Sequence, residues 1–66
     1  MLVHNIKEKC KEIGISVPTL ERETGIGAGN IYRWDDNKPS VEKVAIVAKR
    51  LNTTVDELLK DNEGKE

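Results

Sequence analysis

The side chains best suited to catalysis or metal binding are few and lie near the start of the chain. His4 and Glu8 are four residues apart, a spacing that would place both on one helix face, where they could share a metal ion. Two ligands do not make a metal site, and the chain has only one His and one Cys, Cys10. A catalytic triad, a multi-cysteine zinc site and an internal disulfide all need more than this. We therefore expect no enzyme activity, no metal and no cofactor.

Polar side chains suited to recognition stand in the middle of the chain. Residues 17–36 are predicted to form two short helices joined by a tight turn at Gly25, which tolerates a positive φ angle without strain. Leu20 anchors the first of these helices, and Ile31 and Trp34 anchor the second. This arrangement is typical of a helix-turn-helix. The face of the second helix that stays free carries Gly29, Asn30, Tyr32 and Arg33.

Length and charge limit what such a surface can bind. The chain has 66 residues, enough for one domain, and it is 36% hydrophobic and 35% charged with a net charge of −1. Residues 1–59 contain equal numbers of acidic and basic residues, and the net negative charge comes from the surplus of acids from Lys60 onward. This balance argues against indiscriminate binding to polyanions, so a nucleic acid would have to be bound by a local patch. We see no membrane-spanning or signal-like stretch and expect a cytoplasmic protein.

The elements that must position these residues are helices. Glycine, proline and asparagine breakers divide the chain into five pieces, and each is predicted to be a helix rather than a strand. The predicted helices cover approximately Val3–Ile13, Val17–Thr24, Ala28–Asp35 and Val41–Leu51, and a fifth starts at Thr54. The sequence thus predicts an all-α, compact five-helix domain over residues 1–60, followed by a flexible acidic tail at residues 61–66.

Local signals support these helices. Ser16, Ser40 and Thr54 are predicted N-caps, because a hydroxyl can accept a hydrogen bond from an unpaired N–H of the first turn. Gly29 falls inside the third predicted helix, where it should cost about 1 kcal/mol relative to Ala. Cys10 is predicted to be a buried small apolar residue. The buried face of the fourth helix is predicted to contain Val41, Val44, Ala45, Ala48 and Leu51.

In order and spacing, these features resemble the lambda-repressor-like helix-turn-helix family, the Cro/CI or XRE-type regulators of bacteria and phages. The resemblance covers about residues 5–59 and implies a helix-turn-helix at the second and third helices. It is carried by Gly14-Ile15-Ser16, Leu20, Gly25-Ile26, Ile31, Trp34, Pro39-Ser40, Leu51 and the segment from Thr54 to Leu59.

The resemblance also implies which residues touch DNA. The third helix would lie in the major groove, with its first residues on base edges. Arg33 is the best candidate for a direct contact, because Arg matches the O6/N7 edge of guanine. The implied base-contacting residues are Ala28, Gly29, Asn30, Tyr32 and Arg33. The expected phosphate-contacting residues, at helix N-termini or flanking the third helix, are Ser16, Val17, Gly27, Lys38, Ser40 and Lys43.

Three positions depart from the pattern of the family. Gly27 and Ala28 stand where members often have a hydroxyl and a polar residue, respectively. Glu21 stands where members usually have a small residue, at the crossing of the second and third helices. A buried Glu there would need a partner, and we expect its side chain at the edge of the crossing.

The implied function is that of a sequence-specific transcriptional regulator, a repressor, which binds double-stranded DNA as a homodimer. Its operator would have two half-sites about one helical turn, roughly 34 Å, apart. The fifth helix would supply the dimer interface through Val55, Leu58 and Leu59. The alternative is an antitoxin or adaptor of the same fold that acts mainly on another protein, such as a toxin. An antirepressor is a further candidate partner.

Overall fold

In the computed structural model, which describes residues 2–60, four α-helices follow one another, with short links except between the second and the third, where residues 25–40 intervene. They are α1 (Leu2–Ile13), α2 (Val17–Thr24), α3 (Val41–Arg50) and α4 (Val55–Leu59). A single 3-10 turn, Ile31–Arg33, lies between α2 and α3. The described residues contain no strand, so the all-α prediction is confirmed for them. The predicted tail at residues 61–66 lies outside the described residues.

The predicted side-chain caps begin three of the helices. The hydroxyl of Ser16 accepts from the N–H of Thr19 at 3.2 Å, and that of Ser40 accepts from the N–H of Lys43 at 3.3 Å. Thr54 does the same for the N–H of Glu57 at 3.1 Å. The three predicted caps are therefore confirmed. They could be predicted from the sequence because each depends only on an N–H group three residues away.

The core is aliphatic and lies between the helices. Leu20 and Ile31 are fully buried, and Trp34 and Cys10 are nearly so, as predicted. Val41 was placed on the buried face of its helix, and this is wrong, since it is 74% exposed at the first position of α3. Ala45 is also exposed, and Val47 is buried instead. The buried apolar residues are Leu2, Val3, Ile6, Cys10, Val17, Leu20, Ile31, Trp34, Val44, Val47, Ala48, Leu51 and Leu58.

The third predicted helix is wrong in its extent. Residues 27–34, called the 27–34 turn below, contain only the 3-10 turn, and Gly29 has a φ angle of +81°. A positive φ cannot continue a right-handed helix, so the helix predicted from Ala28 cannot form. The backbone instead makes short bonds, from the N–H of Asn30 to the carbonyl of Gly27 at 3.1 Å and from that of Arg33 to Asn30 at 3.0 Å.

Two polar side chains hold the ends of the fold against α1. The Asp35 carboxylate accepts from the backbone N–H of Val3 at 3.3 Å, so the residue just after the 27–34 turn caps α1. The side-chain amide of Asn5 donates to the carbonyls of Leu58 and Lys60, both at 2.7 Å, and so ties the end of α4 to α1. These contacts join residues far apart in the chain: the Asp35 bond holds the end of the 27–34 turn against α1, and the Asn5 bonds hold α4 there.

Candidate nucleic-acid interface

The 27–34 turn is anchored from inside by two apolar side chains. Ile31 is fully buried and Trp34 is almost so, which leaves Asn30, Tyr32 and Arg33 exposed on the outer side. The turn follows directly on α2, which ends at Gly25 with a φ angle of +79°. Only glycine adopts this angle without strain, and the chain can therefore reverse sharply there. The helix-turn-helix connection predicted from Gly25 is thus present, with a short turn as its second arm.

An open groove runs between the 27–34 turn and the start of α3. Its volume is about 430 Å³, and Trp34 and Ile46 contribute apolar surface to it. Its lining includes three basic side chains and, among the described residues, no acidic one. The predicted site residues that it brings together are Gly27, Asn30, Arg33, Lys38 and Lys43. This groove is the local basic patch that a chain with no net surplus of basic residues would need in order to bind a polyanion.

Tyr32 and Arg33 are neighbours in sequence but differ in surroundings. Arg33 lines the groove, whereas Tyr32 does not and is 49% exposed beside α1. The ammonium of Lys7 lies 6.0 Å from the centroid of the Tyr32 ring, which is the outer limit of a cation–π contact. No local pattern links Lys7 to Tyr32, so the sequence did not predict this second basic flank.

The remaining predicted contact residues fall into two groups. Ser16 and Ser40 use their hydroxyls as caps at the N-termini of α2 and α3, where backbone N–H groups also point outward. The side chain of Val17 is buried, so only its backbone can face a phosphate. Ala28 is exposed and Gly29 is half-buried, and neither lines the groove.

Glu21 is not at the edge of the helix crossing, and that expectation is wrong. The residue is 2% exposed, and both carboxylate oxygens accept backbone hydrogen bonds from the 27–34 turn. One bond comes from the N–H of Gly29 at 3.0 Å and the other from the N–H of Ile31 at 3.1 Å. The partner that a buried Glu needs is therefore the backbone, which a sequence pattern does not display.

The predicted dimer surface is only partly available in the monomer. Leu58 is fully buried in the core, so its side chain cannot meet a partner without unfolding α4. Leu59 is 54% exposed, and Val55 is partly buried against the core. Both line an open groove of about 410 Å³ that also includes the exposed Val41.

Neither metal binding nor thiol chemistry has a prepared site in the described part of the chain. No group of three His, Cys, Asp or Glu side chains in residues 2–60 is placed to hold a metal ion. Cys10 is buried, and this burial raises the pKa of its thiol above the ordinary value, against a smaller lowering by the nearby Arg50. No helix among these residues is long and apolar enough to cross a membrane.

The fold and the basic groove define a small helical domain with a helix-turn-helix connection. The Cro/C1-type HTH DNA-binding domain family matches residues 5–64, nearly the whole chain, and the protein belongs to this family. Neither a curated protein nor a solved structure shows a significant match to the chain. The protein is therefore a DNA-binding domain of the kind found in transcription regulators.

Proposed function

We propose that the protein is a transcriptional repressor of the phage or bacterial type that reads a specific operator sequence as a dimer. The observation that carries this proposal is the groove in which Arg33, Lys38 and Lys43 come together without an acidic side chain. DNA presents a regular array of phosphates, and a basic groove beside an exposed turn is suited to bind along it.

Sequence reading is assigned to the 27–34 turn, which would enter the major groove. Arg33 would donate two hydrogen bonds to a guanine edge, and Asn30 would pair with adenine or hold a phosphate. Ala28 and Tyr32 are exposed beside them and would contact a thymine methyl group or a sugar. Gly29 carries no side chain and lets the backbone come close to a base. Because the turn is short, we expect few base positions to be read directly.

Phosphate contacts are assigned to both sides of that turn. Lys38 and Lys43 line the groove with Arg33, and Gly27 lies at its margin. The N-termini of α2 and α3, at Ser16-Val17 and at Ser40, offer backbone N–H groups to further phosphates. On the other side, Lys7 stands next to Tyr32 and is added to the predicted set.

Dimerisation is assigned to the groove of about 410 Å³ that contains Val55 and Leu59. Leu59 and Val41 are both exposed there, and covering them in a symmetric pair would remove apolar surface from water. Leu58 is left out of the interface because it is buried in the monomer. A Leu59→Asp variant should lower the dimer fraction in analytical ultracentrifugation, whereas an Ile13→Asp change at an exposed position of α1 should not.

The test of the whole proposal is selection from a random pool of duplex DNA at low salt, followed by affinity measurements on the enriched sequence. We expect a palindromic motif with half-sites about one helical turn apart. Arg33→Ala should cost about 1–3 kcal/mol and relax one base position in each half-site. Arg22→Ala is the matched control, since Arg22 is exposed and outside the groove.

Salt titration separates phosphate contacts from base contacts. Lys43→Ala should reduce the slope of log affinity against log salt by about 0.9 for each subunit, and Lys49→Ala on the same helix should leave it unchanged. A pool that enriches no motif, even for a covalently joined dimer, would refute sequence reading. That result would favour the adaptor or antitoxin alternative, in which the same domain acts on a protein.

A further inference from the structure

Glu21 is the only buried carboxylate among residues 2–60, and the proposed DNA contacts do not use it. It lies on α2 and reaches eight and ten residues ahead to the N–H groups of Gly29 and Ile31. Burying a carboxylate is costly unless hydrogen bonds replace the water that it loses. Two hydrogen bonds, one to each carboxylate oxygen, meet this requirement, and both connect Glu21 to the backbone of the 27–34 turn.

The N–H group of Ile31 opens the 3-10 turn, and that of Gly29 lies two residues before it. The first N–H groups of any helical turn have no carbonyl partner within the turn itself. In a 3-10 turn of three residues these unpaired groups are a large share of the backbone donors, so the turn is weak by itself. From a helix that is itself packed into the core through Leu20, the carboxylate of Glu21 supplies an acceptor to Ile31, the first residue of this 3-10 turn, and a second to Gly29, two residues before it.

We propose that Glu21 is a positioning residue that holds the 27–34 turn in its DNA-reading shape before DNA arrives. This inference rests on the proposed function. Asn30 stands between the two bonded residues, and Arg33 follows within the same turn, so the carboxylate fixes the backbone from which both side chains project. A binding surface that is already ordered loses less conformational entropy on binding.

The charge of Glu21 makes the proposal easy to distinguish from its alternative. A negative charge close to a DNA-facing turn opposes the phosphates, so its removal should tighten binding if electrostatics alone matter. If Glu21 positions the turn, the same removal should weaken binding. Glu21→Gln is the suitable variant, because it keeps the shape but offers only one acceptor oxygen and turns an NH₂ donor toward the other N–H. Glu8→Gln on the exposed face of α1 makes the same change in charge and is the control.

The first measurement needs no DNA. Amide hydrogen exchange, followed by NMR, reports the opening of individual N–H groups. We expect Gly29 and Ile31 to be protected in the parent chain and to exchange about tenfold faster in Glu21→Gln, as for loss of a charge-assisted hydrogen bond. Exchange is compared with that of Val47 in the same sample, which corrects for any change in global stability. Unprotected amides in the parent chain, or equal loss at Val47, would overturn the proposal.

The second measurement is affinity for the selected operator. Glu21→Gln should bind about tenfold more weakly than the parent chain, while Glu8→Gln should bind as well or slightly better. Tighter binding by both variants would overturn the positioning role. If the parent chain selects no DNA, the proposed function fails, and the exchange measurement still decides whether Glu21 holds the turn.

A second variant covers the case in which Glu21→Gln does not fold. A chemically ligated chain with an ester in place of the Gly29 amide removes that N–H and leaves Glu21 intact. Faster exchange at Ile31 and weaker operator binding are expected. Unchanged values for both would contradict the proposal.

Discussion

Replacing Gly29 by Ala tests the conformation of the 27–34 turn through the sign of one stability change. If residues 28–35 formed an α-helix, as the sequence predicts, Ala would be favoured over Gly by about 1 kcal/mol. The structure instead gives Gly29 a φ angle of +81°, with nothing within 4 Å of an added Cβ atom. The substitution therefore meets no steric clash with other residues, and only its own backbone conformation opposes it.

The magnitude follows from that conformation. An L-residue in the left-handed region costs roughly 1–2 kcal/mol, because its Cβ atom approaches the following carbonyl oxygen. We expect Gly29→Ala to lower the free energy of unfolding by about 1–2 kcal/mol, so the two accounts differ by about 2–3 kcal/mol. For a domain of this size the expected fall in Tm is roughly 4–8 °C for each kcal/mol.

The assay is thermal and urea unfolding followed by circular dichroism, with Gly25→Ala as the calibration. Gly25 has a φ angle of +79° and open space around it, so its replacement should cost a similar amount under either account. D-Ala at position 29, introduced by chemical synthesis, should be tolerated because a positive φ suits it. An increase in Tm for Gly29→Ala would refute the turn conformation of this segment and support the α-helix instead.

Two further predictions concern the frame that carries the site. Asn5→Ala removes two hydrogen bonds to the end of α4, and the buried carbonyl of Leu58 loses the bond that the Asn5 amide donates to it. It should cost about 2 kcal/mol in urea unfolding, and a loss below 0.5 kcal/mol would contradict that role. Burial raises the pKa of Cys10, so the folded state favours the neutral thiol. This stability is present below the pKa of the unfolded thiol and is lost as pH rises toward the higher folded value. The stability difference between parent and Cys10→Ala should therefore shrink from pH 8 to 10, and a constant difference would exclude the effect.

Much of the fold follows from local chemistry that the sequence displays. Ser16, Ser40 and Thr54 cap helices because a hydroxyl needs only an N–H three residues away. Gly25 ends α2 because glycine alone enters the left-handed region freely. Leu20, Ile31 and Trp34 are buried, as their apolar character predicts, and they are among the residues that carry the resemblance to the family.

The predictions of a third helix and of a buried Val41 failed because both depend on contacts outside their own segment. Ala28–Asp35 has the apolar spacing of a helix, but its backbone bends at Gly29, where its N–H is bonded to Glu21. Val41 has the right period for burial, but it is the first residue of α3, where the core does not cover it. Leu58 and Leu59 are adjacent leucines, and only the packing of α4 decides which of them is buried.

The candidate site divides in the same way. The sequence by itself determined the family, the helix-turn-helix connection and the residue types proposed to meet DNA, because these depend on short spacings and on chemical identity. The tertiary structure decided that Arg33, Lys38 and Lys43 share one groove and that Tyr32 lies beside Lys7. It also decided that the Glu21 carboxylate is buried against the backbone N–H groups of the 27–34 turn. Those facts depend on how separate segments pack, and a pattern confined to one segment carries no information about the side chain that reaches it from another.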